Sequence, residues 1–141
     1  MKRFTAKAAL VIAAFGAATL IGSAGAQQVN EVELRKAFAI ADANGDGYID
    51  VNEYVAQVIY IFRQIDVNKD GSITVQEWAA YNPGYSPDRF KSADRNGDGK
   101  ISLGEAVGAK MIEFFDIDTN RDGAISVEEL IVYERSLPAK K

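Results

Sequence analysis

The sequence predicts an all-α fold: four helix–loop–helix units that share helices, with loops joined in pairs by short β-bridges, second with third and first with fourth. Three observations predict it. Four 12-residue segments follow one template, D-x-N-x-D-G-x-I-x-x-x-E: DANGDGYIDVNE at 42–53, DVNKDGSITVQE at 66–77, DRNGDGKISLGE at 94–105 and DTNRDGAISVEE at 118–129. A phenylalanine stands four residues before each leading aspartate, at Phe38, Phe62, Phe90 and Phe114. The leading aspartates are 24, 28 and 24 residues apart. The outer intervals therefore hold a single helix and the middle one holds two.

The elements follow in chain order. Residues 1–26 have a basic start (Lys2, Arg3, Lys7), an uncharged apolar run from Ala8 to Ile21, and the small residues Ala24-Gly25-Ala26. This is the layout of a secretory signal peptide cleaved after Ala26. The apolar run is short for a membrane span. The expected organisation is a signal peptide at 1–26 and a four-loop domain at 27–141, periplasmic or secreted, with no stable membrane association after cleavage.

Asn30 and Glu33 form a candidate capping box for the first helix, which is expected to run to about Ala41. Residues 54–65 (Tyr54–Ile65) number twelve and hold one helix of about 18 Å. That helix must both leave the first loop and enter the second, so these two loops sit at its opposite ends. Its apolar residues (Val55, Val58, Ile59, Ile61, Phe62, Ile65) cover most of its circumference, which predicts a central, buried helix. Asn82-Pro83-Gly84 is a turn signal, and Ser86-Pro87 reads as an N-cap followed by proline at the first helical position. The chain can double back there, so the second loop is expected to meet the third, with Ile73 facing Ile101. The first and fourth are left to pair, with Ile49 facing Ile125. Residues 106–117 (Ala106–Ile117) form the second shared helix, and Pro138 closes the last helix near Leu137. At helical spacing, the four phenylalanines lie one turn above their loops and read as core.

Composition excludes several functions. The chain has no cysteine and no histidine. It therefore lacks thiolate sites, disulfides, the commonest general base and the commonest transition-metal ligand. Residues 27–141 carry 20 acids and 13 bases, a net charge of −7. That balance argues against nucleic acid as a partner. There is no G-x-S-x-G motif and no phosphate-binding glycine loop, so the chain is not expected to be an enzyme. The acids outside the ligand positions (Glu31, Glu33, Asp88, Glu113, Asp116, Glu128, Glu134) read as solvated helix faces and caps.

Each repeat position suits one task in holding a hard cation through oxygen. Position 1 offers a carboxylate from Asp42, Asp66, Asp94 and Asp118. Position 3 offers an amide oxygen from Asn44, Asn68, Asn96 and Asn120. Position 5 adds Asp46, Asp70, Asp98 and Asp122. Position 7 lends its backbone carbonyl, so its side chain varies: Tyr48, Ser72, Lys100 and Ala124. Position 9 acts through water and holds Asp50, Thr74, Ser102 and Ser126. Position 12 is the bidentate glutamate, Glu53, Glu77, Glu105 and Glu129. The sixth residue must turn sharply and is glycine each time. The template matches the EF-hand calcium loop at every defining position. The chain is thus identified as a member of the EF-hand superfamily, with up to four bound Ca²⁺. The first loop presents four carboxylates at its ligand positions and the others three, so four ions would move the net charge from −7 to +1. Metal binding is therefore expected to couple to folding.

The compact spacing, the signal peptide and the overall length also resemble the lanmodulin-like periplasmic lanthanide-binding EF-hand proteins of methylotrophic bacteria. That resemblance implies lanthanide ions as an alternative cargo. Those proteins typically carry proline at position 2, where this chain has Ala43, Val67, Arg95 and Thr119. They also favour acids at positions 3 and 9, where only Asp50 is acidic here. Fewer carboxylates favour Ca²⁺. The expected function is a calcium buffer or sensor of the cell envelope. After signal removal only Met111 remains as methionine, which leans away from a methionine-lined, calmodulin-like sensor groove. An unidentified protein partner of the metal-loaded form is a further expectation.

Overall fold

The computed structural model describes residues 31–81 and 86–137. The expected signal peptide, Asn30 of the expected capping box, the expected turn at Asn82-Pro83-Gly84 and Pro138 lie outside those residues. Helix α1 (Glu31–Ala41) turns Ala37, Phe38 and Ala41 inward and ends where the first repeat begins. Strand β1 (Tyr48–Asp50) follows, then helix α2 (Val51–Ile65), strand β2 (Ser72–Thr74) and helix α3 (Val75–Tyr81). The second half mirrors the first. Helix α4 (Pro87–Ala93) leads to strand β3 (Lys100–Ser102), helix α5 (Leu103–Ile117), strand β4 (Ala124–Ser126) and helix α6 (Val127–Ser136).

Helices α2 and α5 are the two shared helices, each leaving one loop and entering the next. Each has 15 residues, three more than the interval between repeats. The difference arises because the departing helix begins at position 10 of the loop. Position 9 serves as its N-cap, and the glutamate at position 12 falls at N3. Asp50 with Glu53, Ser102 with Glu105 and Ser126 with Glu129 all form reciprocal capping boxes. Thr74 and Glu77 make the same two contacts. Each such box satisfies two backbone N–H groups at a helix start. Ser86 is the N-cap of α4 with Pro87 next to it, but its side chain makes no capping hydrogen bond.

The loops pair as the spacing predicts. Strands β1 and β4 run antiparallel with Ile49 opposite Ile125, and β2 and β3 do so with Ile73 opposite Ile101. All four isoleucines are at most 1% exposed. The four phenylalanines of the entering helices are buried beside them. Phe114 meets the Tyr54 ring edge-on at 5.2 Å, and Phe90 meets Trp78 at 6.1 Å. These paired rings bind α2 to α5 and α3 to α4, and α2 with α5 forms the most extensive helix contact.

Helix α2 corrects one expectation. It is central but one-sided, burying Tyr54, Val58, Ile61, Phe62 and Ile65. Ala56, Tyr60, Arg63 and Gln64 face outward, while Val55 and Ile59 are half-buried. A helix-spaced stripe beneath aliphatic flanks looks wholly apolar in sequence, although only the stripe is sealed. A second correction concerns Glu113, which is no solvated acid. It pairs with Lys110 on α5, and the two side chains are 15% and 6% exposed. Burial pulls the Lys110 ammonium below its usual range and pushes the Glu113 carboxyl up, each against the attraction of its partner. Among the described residues no helix is long and apolar enough to cross a membrane.

Candidate metal centre

Each loop folds around its own backbone N–H groups. The aspartate at position 1 accepts from the N–H of position 5 with one oxygen and from the glycine at position 6 with the other. For Asp42 these distances are 3.1 and 2.8 Å, and for Asp66 they are 3.2 and 3.0 Å. Asp94 and Asp118 repeat the arrangement. The position-3 asparagine accepts from the N–H two residues on, at 2.8 Å in all four loops. The position-5 aspartate accepts from the N–H of position 7, at 2.9 to 3.0 Å. These local turns wrap the backbone of each loop around the oxygens of positions 1, 3 and 5.

The turn itself needs left-handed backbone. Glycines 47, 71, 99 and 123 hold φ between +84° and +89°, a range that L side chains rarely adopt. Position 4 is also left-handed. Gly45 and Gly97 fill it in loops 1 and 3, whereas Lys69 and Arg121 stand there at φ +60° in loops 2 and 4.

Position 12 closes each loop end to end. One oxygen of Glu53 accepts from the N–H groups of Ala43 and Asn44 at 2.9 and 3.0 Å, and the other from Asp50 N–H at 3.1 Å. Glu77, Glu105 and Glu129 reach the same three backbone positions. In loops 2 to 4 the hydroxyl of Thr74, Ser102 or Ser126 also donates to that second oxygen. Asp50 accepts from Glu53 N–H but has no hydroxyl to offer. The position-9 residue is therefore a helix cap in this structure, and the glutamate a clamp with both oxygens engaged. To ligate through both oxygens, the glutamate would have to exchange some of these N–H partners for the cation. The repeat template by itself reads these residues as metal ligands. The S/T/D-x-x-E signature at positions 9 to 12 was the available sign of their second task.

The clamp shapes the electrostatics. The N–H and hydroxyl of Thr74 hold the Glu77 carboxyl below its usual range, and those of Ser102 do the same for Glu105. At Glu129, burial pulls upward, but the hydrogen bonds from Ser126, Asn120 and Thr119 outweigh it. Carboxylates so held stay ionised and able to meet a cation.

The donor set suits a hard, multiply charged ion. Every side chain at positions 1, 3, 5 and 12 presents oxygen. Among the described residues no three carboxylates converge tightly enough to cage an ion by themselves. The position-3 amide and the position-7 carbonyl would have to complete each set, as the six-to-eight-oxygen shell of Ca²⁺ requires. Within each loop, hydrogen bonds tie the side chains of positions 1, 3, 5 and 12 to the loop backbone, as in Asp42, Asn44, Asp46 and Glu53. The structure also brings loops 1 and 4, and loops 2 and 3, back to back through their strands.

Comparison with known proteins agrees with this geometry. The family model described as EF hand domain matches residues 33–59, and that described as EF hand matches residues 58–80, 88–105 and 112–132. Calcium-dependent protein kinase 9 of Oryza sativa subsp. japonica is 30% identical over 128 residues, covering 84% of this chain and 19% of the kinase. Insoluble matrix shell protein 5 of Ruditapes philippinarum is 34% identical over 98 residues, covering 67% of each. The human mitochondrial adenyl nucleotide antiporter is 34% identical over 85 residues, covering 50% of this chain and 18% of the antiporter. This chain thus spans about a fifth of the kinase and the antiporter. The family matches fall on the four loops and their flanking helices, where the oxygen donors are gathered, and the chain belongs to the EF-hand family of calcium-binding proteins.

Proposed function

We propose that this calcium-binding chain is an exported protein of the cell envelope that works chiefly as a buffer, holding one Ca²⁺ in each of its four loops. The observation that carries this reading is the sharing of helices. α2 leaves loop 1 and enters loop 2, and α5 leaves loop 3 and enters loop 4. A sensor swings its helices apart to expose an apolar groove. Here a helix cannot swing at one loop without disturbing the loop at its other end. α2 and α5 are also locked together by Tyr54 against Phe114. Such a frame favours uptake and release with little opening. Export rests on residues 1–26 of the sequence. The chemistry proposed is binding, with no catalytic step.

A second reading, lanthanide capture, has one observation in its favour. Loop 1 holds four acids and no base, with Asp50 and Glu53 joined through their capping box. That concentration of negative charge would favour a trivalent ion there.

Two measurements test the proposal. Expression of the whole chain in a bacterial host with fractionation should yield a periplasmic or secreted product beginning at Gln27. Cytoplasmic retention of the intact chain would count against export. Calorimetric titration with Ca²⁺ and with La³⁺ should show four calcium sites and little change in apolar dye binding. A strong rise in dye binding on loading would favour a sensor. Saturation at far lower La³⁺ than Ca²⁺ would favour the second reading.

A further inference from the structure

The two loop pairs differ in charge. Loops 1 and 4 together hold eight acids and one base, whereas loops 2 and 3 hold six acids and three bases. One of those bases has a specific target. Lys100 occupies position 7 of loop 3, on β3, and stands opposite Thr74 of β2 in the antiparallel register. From there its ammonium reaches across the pair to Asp70, the position-5 acid of loop 2, at 3.7 Å. Asp70 has one oxygen on the N–H of Ser72. Its other oxygen is the one that faces both the Asn68 amide at 3.4 Å and Lys100. Loop 1 shows the contrast. Its position-5 acid, Asp46, takes the N–H of Tyr48. The corresponding cross-strand neighbour of Asp50 is Ala124, which has no charge.

We propose that Lys100 is an internal competitor for the loop 2 metal site: a cation supplied by the partner loop that neutralises Asp70 and sets loop 2 as a weaker site than loop 1. This inference rests on the calcium-binding reading of the loops. An arriving Ca²⁺ must displace the ammonium from Asp70 and then sit beside it, whereas loop 1 imposes neither cost. The protein would then load in two stages, the 1/4 pair ahead of loop 2, and would keep buffering over a wider range of calcium than four equal sites could.

The test follows calcium titration of the whole chain by calorimetry and by the backbone amide signals of Gly47 and Gly71, which report loops 1 and 2 separately. Lys100→Met is expected to tighten loop 2 about three- to fivefold, the scale of one exposed charge pair, and to leave loop 1 unchanged. Lys100→Arg, which keeps the charge, should behave as the parent. Ala124→Lys places an equivalent cation opposite Asp50 and should weaken loop 1 by a similar factor. The proposal is overturned if Lys100→Met leaves loop 2 unchanged, if the gain spreads equally over all four loops, or if Ala124→Lys leaves loop 1 as tight as before. A parent chain that takes up no calcium at all would overturn the calcium reading as well, a result distinct from any of these.

Discussion

Ile49 and Ile125 stand directly opposite one another in the antiparallel pair β1–β4, and each is 1% exposed. One comes from the first repeat and the other from the last, so this sealed contact helps fasten the two ends of the domain, alongside the packing of α1 on α6. The same holds within the chain's middle for Ile73 and Ile101.

Truncating one member of such a contact should weaken one loop pair more than the other. Ile125→Ala removes buried methyl groups at a site closed on all sides, at a cost of about 3 kcal/mol. Urea unfolding of the calcium-loaded protein should show that loss. Calcium titration should show weakened loops 1 and 4 with loops 2 and 3 closer to the parent.

Glu105 serves two tasks that a single substitution can separate. Glutamine at N3 can still close a capping box but carries no charge. Glu105→Gln should therefore leave helicity by circular dichroism within error of the parent and lower the bound calcium count by one. A fall in helicity without loss of an ion would assign Glu105 to the cap alone.

Acid should loosen the loops in a defined direction. Glu77, Glu105 and Glu129 have their carboxyls held below the usual range by loop hydrogen bonds. A depressed carboxyl adds stability that is fully present above its unfolded value, about 4.3 for glutamate, and is lost as pH falls through the folded value. Without added metal, the urea midpoint should be flat near pH 6 and drop as pH falls below about 4. Replacing all three by glutamine should flatten that drop.

The Lys110–Glu113 pair makes a different prediction. Removing one partner leaves the other in a mostly buried setting with its charge uncompensated. Lys110→Met should cost roughly 2 kcal/mol or more. Adding Glu113→Leu should recover much of the loss, because a buried pair can be exchanged for apolar packing at little net cost. Thermal unfolding of the single and double variants checks this, with the double expected to melt above the single.

Much of this architecture was legible in the residues because the repeat is so regular. The 24-residue spacing forces one helix between loops 1 and 2, and that fixes which isoleucines can meet. The phenylalanines four residues before each repeat fall on the inner face because they sit one helical turn above the loop. What the sequence concealed lay in double duty and in long-range contact. Position 9 reads as a ligand position, and its role as N-cap, signalled in sequence only by the S/T/D-x-x-E spacing, is fixed by α2 and α5 beginning at Val51 and Leu103. Lys110 and Glu113 carry an ordinary i,i+3 spacing, and only the packing around α5 shows that they are buried. Lys100 gives no local sign of reaching Asp70, since that contact depends on the register of two strands from different repeats.

The number of calcium ions held per chain at saturation tests the central claim most directly. Equilibrium dialysis of the whole protein followed by atomic absorption should find four. A plateau at two or fewer would mean that complete oxygen sets on folded loops are insufficient to hold the ion.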